Sequence, residues 1–178
     1  MRRIRGSRPS GQPAETKEPP PCGDFDIRID RDGTWYYRGS PIGRKPLVKL
    51  FASVLQRGED GAYWLVTPVE RGRIEVEDAP FTAVEISVTG RGRDQVLRFR
   101  TNVDEWIEAG PEHPIRVAPA PDSGEPRPYI LVRPGLEALL LRPVYYSMVE
   151  LAEERVEGGE PVLGVWSKAT FFPLGSPG

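Results

Sequence analysis

Only two stretches of this sequence carry helical periodicity, and each begins at a basic residue followed by proline. After Arg44-Lys45-Pro46, the residues Leu47, Leu50, Phe51, Val54 and Leu55 recur at i, i+3, i+4, i+7 and i+8, one apolar stripe facing a core. After Leu141-Arg142-Pro143, Tyr145, Met148, Val149 and Ala152 form a second stripe, flanked by Val144 and Leu151 and closed by Gly158-Gly159. Nearly everything else reads as short strands between turns. Phe25, Ile27 and Ile29 alternate with Asp26, Arg28 and Asp30, the period of a half-buried strand, and Asp30-Arg31-Asp32-Gly33 turns the chain into Thr34–Arg38. Further extended runs cover 63–66, 73–76, 81–88, 96–100, 103–107, 115–118, 129–133, 163–166 and 170–172, while 135–141 reads as either a helical turn or a short strand. Two helices amid many strands predict an α+β fold, not alternating βαβ units.

The organisation has three parts. Residues 1–21 hold four arginines, five prolines and few apolar side chains, so they cannot bury enough surface to offset ordering entropy and read as a disordered tail. Residues 22–80 read as an N-terminal α+β domain ending at Asp78-Ala79-Pro80, and 81–178 as a C-terminal domain. The halves repeat one order: strands, a basic residue and proline, an amphipathic helix, then a hairpin bearing an aromatic. Arg44-Lys45-Pro46 corresponds to Leu141-Arg142-Pro143, and Trp64 to Trp166.

Composition excludes several functions. The formal net charge is −2, without the basic excess that extended nucleic acid demands of its binders. The lone Cys22 can form neither an internal disulfide nor a thiolate zinc cluster. No apolar run is long enough to span a bilayer, and no apolar segment follows the basic Met1–Arg5 start, so the expectation is a soluble cytoplasmic protein. The one histidine, His113, sits between Pro111 and Pro114 in what reads as a solvated loop, which rules out a multi-histidine metal site and leaves little from which to build a nucleophilic triad. Asp30-x-Asp-Gly fails as a calcium loop, because Arg28 and Gly39 would fall at ligand positions. Gly90-Arg91-Gly92 lies between strands and is no phosphate loop. No cofactor is expected.

The most informative residues precede the first helix. Proline disfavours helical geometry in its predecessor, which places Lys45 at the N-cap, where lysine offers no acceptor to the free backbone N–H groups. Arg44 and Lys45 also face the positive end of the helix dipole. Free N–H donors beside two cations suit an anion, and Arg142 repeats the arrangement. The plainer outcome is that these cations pair with a carboxylate such as Asp78 or Glu70. Glu70, Glu75, Glu77 and Asp78 form an acidic cluster, but the alternation of Glu75 and Glu77 with Ile74 and Val76 marks a wet strand face.

Several stretches then stand together: Asp32-Gly33-Thr34-Trp35-Tyr36-Tyr37, Gly39-Ser40-Pro41-Ile42-Gly43-Arg44-Lys45-Pro46, Tyr63-Trp64-Leu65-Val66-Thr67-Pro68-Val69-Glu70, Asp78-Ala79-Pro80-Phe81, Phe99-Arg100-Thr101-Asn102 and Leu163-Gly164-Val165-Trp166-Ser167. They resemble a bacterial family of unknown function, DUF1285, over nearly everything after the tail. The resemblance implies two β-rich domains sharing a repeated motif, the second like the pleckstrin-homology fold, and a signalling or ligand-binding role without assigned catalytic residues. The resulting expectation is a non-enzymatic module holding a small anionic, nucleotide-like ligand between its domains. Arg44 and Lys45 would grip it, with Thr67, Glu70, Asp78 and Phe81 from the interdomain segment, Arg100 and Asn102 from the second domain, and Arg142 as the second helix-start cation. The alternatives are a protein-interaction module and a metal-dependent hydrolase built on Glu70 and Asp78.

Overall fold

The structure is a computed structural model describing residues 21–177. The expected disorder of residues 1–21 lies outside it except at Pro21, which opens the first strand. The first half runs β1 (Pro21–Ile29), β2 (Trp35–Tyr37), β3 (Ser40–Pro41), α1 (Lys45–Ser53), β4 (Leu55–Arg57), β5 (Tyr63–Val66) and β6 (Arg71–Val76). Its six strands form one sheet ordered β3-β2-β1-β6-β5-β4. Two antiparallel three-stranded meanders are thus joined by a parallel pair, β1 with β6, in the register Arg28 to Glu75 and Ile29 to Val76. The tight β1–β2 turn follows from Asp30, whose carboxylate accepts the N–H groups of Asp32 (2.9 Å) and Thr34 (3.0 Å) while Gly33 takes a φ of 83°.

The second half comprises β7 (Phe81–Thr89), a 3-10 turn (Gly92–Asp94), β8 (Val96–Thr101), β9 (Trp106–Glu108), β10 (Ile115–Pro119), β11 (Pro126–Arg133), β12 (Leu136–Leu140), α2 (Arg142–Val149), β13 (Glu153–Glu157), β14 (Glu160–Ser167) and β15 (Thr170–Gly175). A second six-stranded sheet has the order β10-β11-β12-β7-β8-β9, again two meanders joined by a parallel pair of the first and last strands, β7 with β12. β13, β14 and β15 form a separate three-stranded sheet. The molecule is therefore two mostly β domains rather than an even α+β mixture.

The repeat survives as meander, proline-led helix, meander, but the two copies assemble differently. In the first, β1 and β6 form a ladder. The corresponding strands of the second copy, β10 and β15, lie against each other in separate sheets, and β12 takes β7 as its partner instead. Several boundaries also differ from the sequence reading. Residues 135–141 resolve into β12, whose Leu136, Ala138 and Leu140 point into the core. Leu55 leaves the helical stripe to start β4, and Leu47 and Leu50 are 36% and 60% exposed, so that stripe does not face the core as a whole. α2 stops at Val149 with Val144 and Met148 buried, and Gly158-Gly159 turns the β13–β14 hairpin instead of ending the helix. Glycine's freedom at φ 60° and 83° suits a hairpin turn as well as a helix C-terminus, which is why local signals did not separate the two.

A single contiguous core runs through both halves, with Ile29 and Trp35 from the first and Phe81, Leu97, Phe99, Ile130, Met148 and Val165 from the second. Ser167 ties the third sheet to the second, its buried hydroxyl donating to the Ala109 carbonyl (2.7 Å) and accepting from the Leu97 N–H (2.9 Å). Asn102 ties the domains together. Its amide nitrogen donates to the Gly33 carbonyl (3.1 Å), and its amide oxygen accepts the N–H of the buried Thr82 (3.1 Å). Substituting Asn102→Ala leaves the Thr82 N–H without that acceptor, and chemical denaturation should show a loss of about 1–3 kcal/mol.

Candidate functional site

α1 begins one residue earlier than expected. Arg44 is its N-cap, extended at φ −90° and ψ 102°, with no side-chain cap and no acid in the first turn. The exposed Arg44 side chain has no partner among the described residues, whereas Lys45 has one. The carboxylate of Asp104, in the β8–β9 turn of the second domain, lies 3.1 Å from Lys45, 2.7 Å from Lys49 and 3.0 Å from Arg100. Arg100 also reaches Glu85 at 2.7 Å. Hydrogen bonds from Lys49 and then Lys45 hold the Asp104 carboxyl far below the ordinary aspartate range. The anion expected beside this helix start is thus met by the chain itself, across the domain boundary.

The remaining candidate residues fall in three other places. Thr67 and Glu70 close the β5–β6 turn, where the Thr67 hydroxyl donates to the Glu70 carbonyl (3.0 Å) and accepts the Glu70 N–H (3.2 Å). Asp78 accepts hydrogen bonds from the Tyr129 hydroxyl (2.7 Å) and from Arg127 (3.2 Å). Burial first, and the bond to Asp78 second, push the Tyr129 phenol up. Asp78 and Arg142 line an interdomain notch of about 370 Å³, but there Arg31, Arg127 and Arg142 share the space with Asp32, Asp78, Asp122 and Glu125. Arg142 itself lies 3.5 Å from Glu125 in an exposed pair. Phe81 has no exposure and Asn102 is the domain tie, so both are structural, not ligand-facing. The nine residues do not converge on one cleft. Nor is His113 merely solvated: its Nδ1 lies 2.9 Å from the Leu131 carbonyl, so it donates a structural hydrogen bond there. No group of three or more His, Cys, Asp or Glu side chains among the described residues is arranged to hold a metal ion.

The cavity that sequence reasoning missed lies between α1 and the first sheet. Its volume is about 440 Å³, walled by Phe25 and Ile27 of β1, Tyr37 of β2, Ile42 in the loop before α1, Leu47 and Phe51 of α1, Val54 at its C-cap and Leu65 of β5, with Thr67 and Glu70 also lining it. Gly72 seats the Phe25 wall, because the Phe25 ring lies directly over it and any Cβ there would collide with the ring. Trp35 supports another by stacking on Phe51 at 6.2 Å. The available signal was an apolar stripe on α1 wider than a short helix needs for its own core. Nothing local revealed that the helix stands off the sheet.

Comparison with known proteins follows the same division of the chain. Residues 12–79 match the N-terminal domain of unknown function of DUF1285, and residues 80–174 match the C-terminal domain of that protein family of unknown function. The chain belongs to the DUF1285 family. A DUF1285 family protein from Silicibacter pomeroyi DSS-3 superposes with a TM-score of 0.84 at 48% identity, over 96% of this chain and 90% of that one. Another from Shewanella baltica OS155 superposes with a TM-score of 0.55 at 29% identity, over 70% of this chain and 91% of that one. No curated protein matches the chain. No helix among the described residues is long and apolar enough to cross a membrane.

The ionic cluster has a pH signature. A carboxyl whose folded pKa is depressed contributes stability above its unfolded value, near 3.9, and loses it as the pH falls through the folded value. Asp104→Asn should therefore lower the thermal midpoint at pH 7, and the gap to the wild type should close only below about pH 4. Thermal melts across pH 2.5–7 measure this.

Proposed function

We propose that this chain is a non-enzymatic binding module that takes a small apolar molecule in the cavity between α1 and the first sheet. The observation that carries the reading is the cavity itself: about 440 Å³, preformed, and walled almost wholly by aliphatic and aromatic side chains. That volume lies within the roughly 300–1,000 Å³ range of small-ligand sites, and a few polar groups in an apolar pocket are what orients such a ligand. Thr67 and Glu70 are the polar groups here. An apolar ligand is favoured over an anionic one because Lys45 and Arg100 already share Asp104, and because four carboxylates meet three arginines in the interdomain notch. The second domain, a curled sheet whose last strand leads into α2, supports a pleckstrin-homology-like reading in which it serves as the body against which the first domain works.

Fluorescence titration with the neutral probe N-phenyl-1-naphthylamine tests this. Saturable one-to-one binding is expected, weakened at least about ten-fold by Leu47→Glu, since removing one apolar contact and burying a charge together exceed about 1.4 kcal/mol. Leu47 is already 36% exposed, so the variant should keep its fold. Binding that ignores Leu47→Glu, or no binding at all, overturns the reading. Absence of probe binding with concentration-dependent dimerisation would favour a protein occupant, for which the exposed Tyr37, Leu47 and Leu50 would be the contact surface.

A further inference from the structure

The helix that walls the cavity is held from outside its own domain. Leu47, Phe51 and Val54 turn toward the cavity. On the same helix, Lys45 and Lys49 reach Asp104 of the second domain at 3.1 and 2.7 Å. At the other end, Arg133 of β11 donates from Nη2 to the carbonyl of Ala52 at 2.7 Å, satisfying one of the carbonyls left open at a helix C-terminus. The second domain therefore holds α1 at both ends, while its own sheet meets it around the cavity, through Trp35 on Phe51 and the Val66 N–H on the Val54 carbonyl. A helix with an apolar face over an apolar void tends to settle inward, because collapse recovers the packing that the void forfeits. The grip opposes that collapse.

We propose that α1 couples the cavity to the domain interface, so that ligand in the cavity and the Lys45–Lys49–Asp104 and Arg133–Ala52 contacts stabilise one another. The inference rests on the cavity being the binding site and adds how occupancy is communicated. By linkage, whatever keeps α1 off the sheet raises affinity for the ligand, and ligand strengthens the interdomain grip by the same factor. The grip is polar and partly exposed, so it weakens with salt, whereas an uncharged apolar ligand entering a rigid pocket binds no more weakly as salt rises. The two behaviours are opposite in sign, which makes the coupling readable.

N-phenyl-1-naphthylamine is titrated into the whole chain between 20 mM and 500 mM KCl, for wild type, Asp104→Asn and Leu47→Glu. The wild-type Kd should rise roughly three-fold or more across that range, in keeping with modest coupling through exposed ion pairs. Asp104→Asn, which touches no cavity wall, should start with the raised Kd and change little with salt. Hydrogen exchange on the wild type supplies a second measurement, with saturating probe slowing exchange at residues 101–106 as well as along α1. If wild type and Asp104→Asn bind alike and their Kd values are flat or fall with salt, the coupling is overturned while the cavity reading stands, provided that Leu47→Glu still weakens binding. If the wild type binds no probe, both fall.

Discussion

The parallel pairing of β1 with β6 is the constraint on which the first domain depends. Parallel neighbours cannot be joined by a tight turn, so the chain between them makes an excursion through β2, β3, α1, β4 and β5, in which α1 carries it from one meander to the other. The helix is short and its N-cap Arg44 makes no side-chain cap, so it can neither cap itself well nor span the sheet with apolar contacts alone. It rests over the sheet on Phe51 and Val54, leaving the space between Phe25, Ile27 and Leu65 unfilled. The cavity is thus a by-product of topology that the apolar side chains around it turn into a site.

The polar contacts holding α1 are individually modest. Exposed ion pairs contribute little singly, and the charges around Asp104 are partly open to water. What distinguishes them is convergence: three cations from two domains address one carboxylate, which sits at a positive φ of 65° in a turn fixed by Thr101. Arg100 answers two carboxylates at once, Glu85 and Asp104. Several arginines elsewhere lie over aromatic rings, as Arg71 and Arg73 do on Trp64 and Arg93 and Arg155 do on Trp166. The two tryptophans that correspond in the repeat thus share a chemical setting as well as a place in the order.

Much of the fold was legible in the sequence, because strand alternation and proline-led helix starts are local signals. Phe25, Ile27 and Ile29 announced β1, and Pro46 and Pro143 marked both helix starts to within a residue. The site was less legible, because its assembly is nonlocal. Lys45 read as a helix-start cation for an external anion or for a carboxylate such as Asp78 or Glu70, since nothing within the first domain reveals that a turn 59 residues later returns Asp104 to it. Phe81 and Asn102 looked accessible from their place in the chain. The first is sealed by the second sheet, and the second is occupied by two backbone groups of opposite domains. Leu47 and Leu50 read as core because periodicity reports a face, not what lies opposite it.

The two copies of the meander–helix–meander unit differ at one seam. β1 and β6 are laced by backbone hydrogen bonds, so sliding one meander past the other in the first domain would break a ladder. β10 and β15 occupy the corresponding positions and lie against each other, but belong to separate sheets. Shear along that seam sacrifices no ladder. The same plan therefore closes one copy with a ladder and leaves the other a seam between two sheets, in the domain that contributes no wall to the cavity.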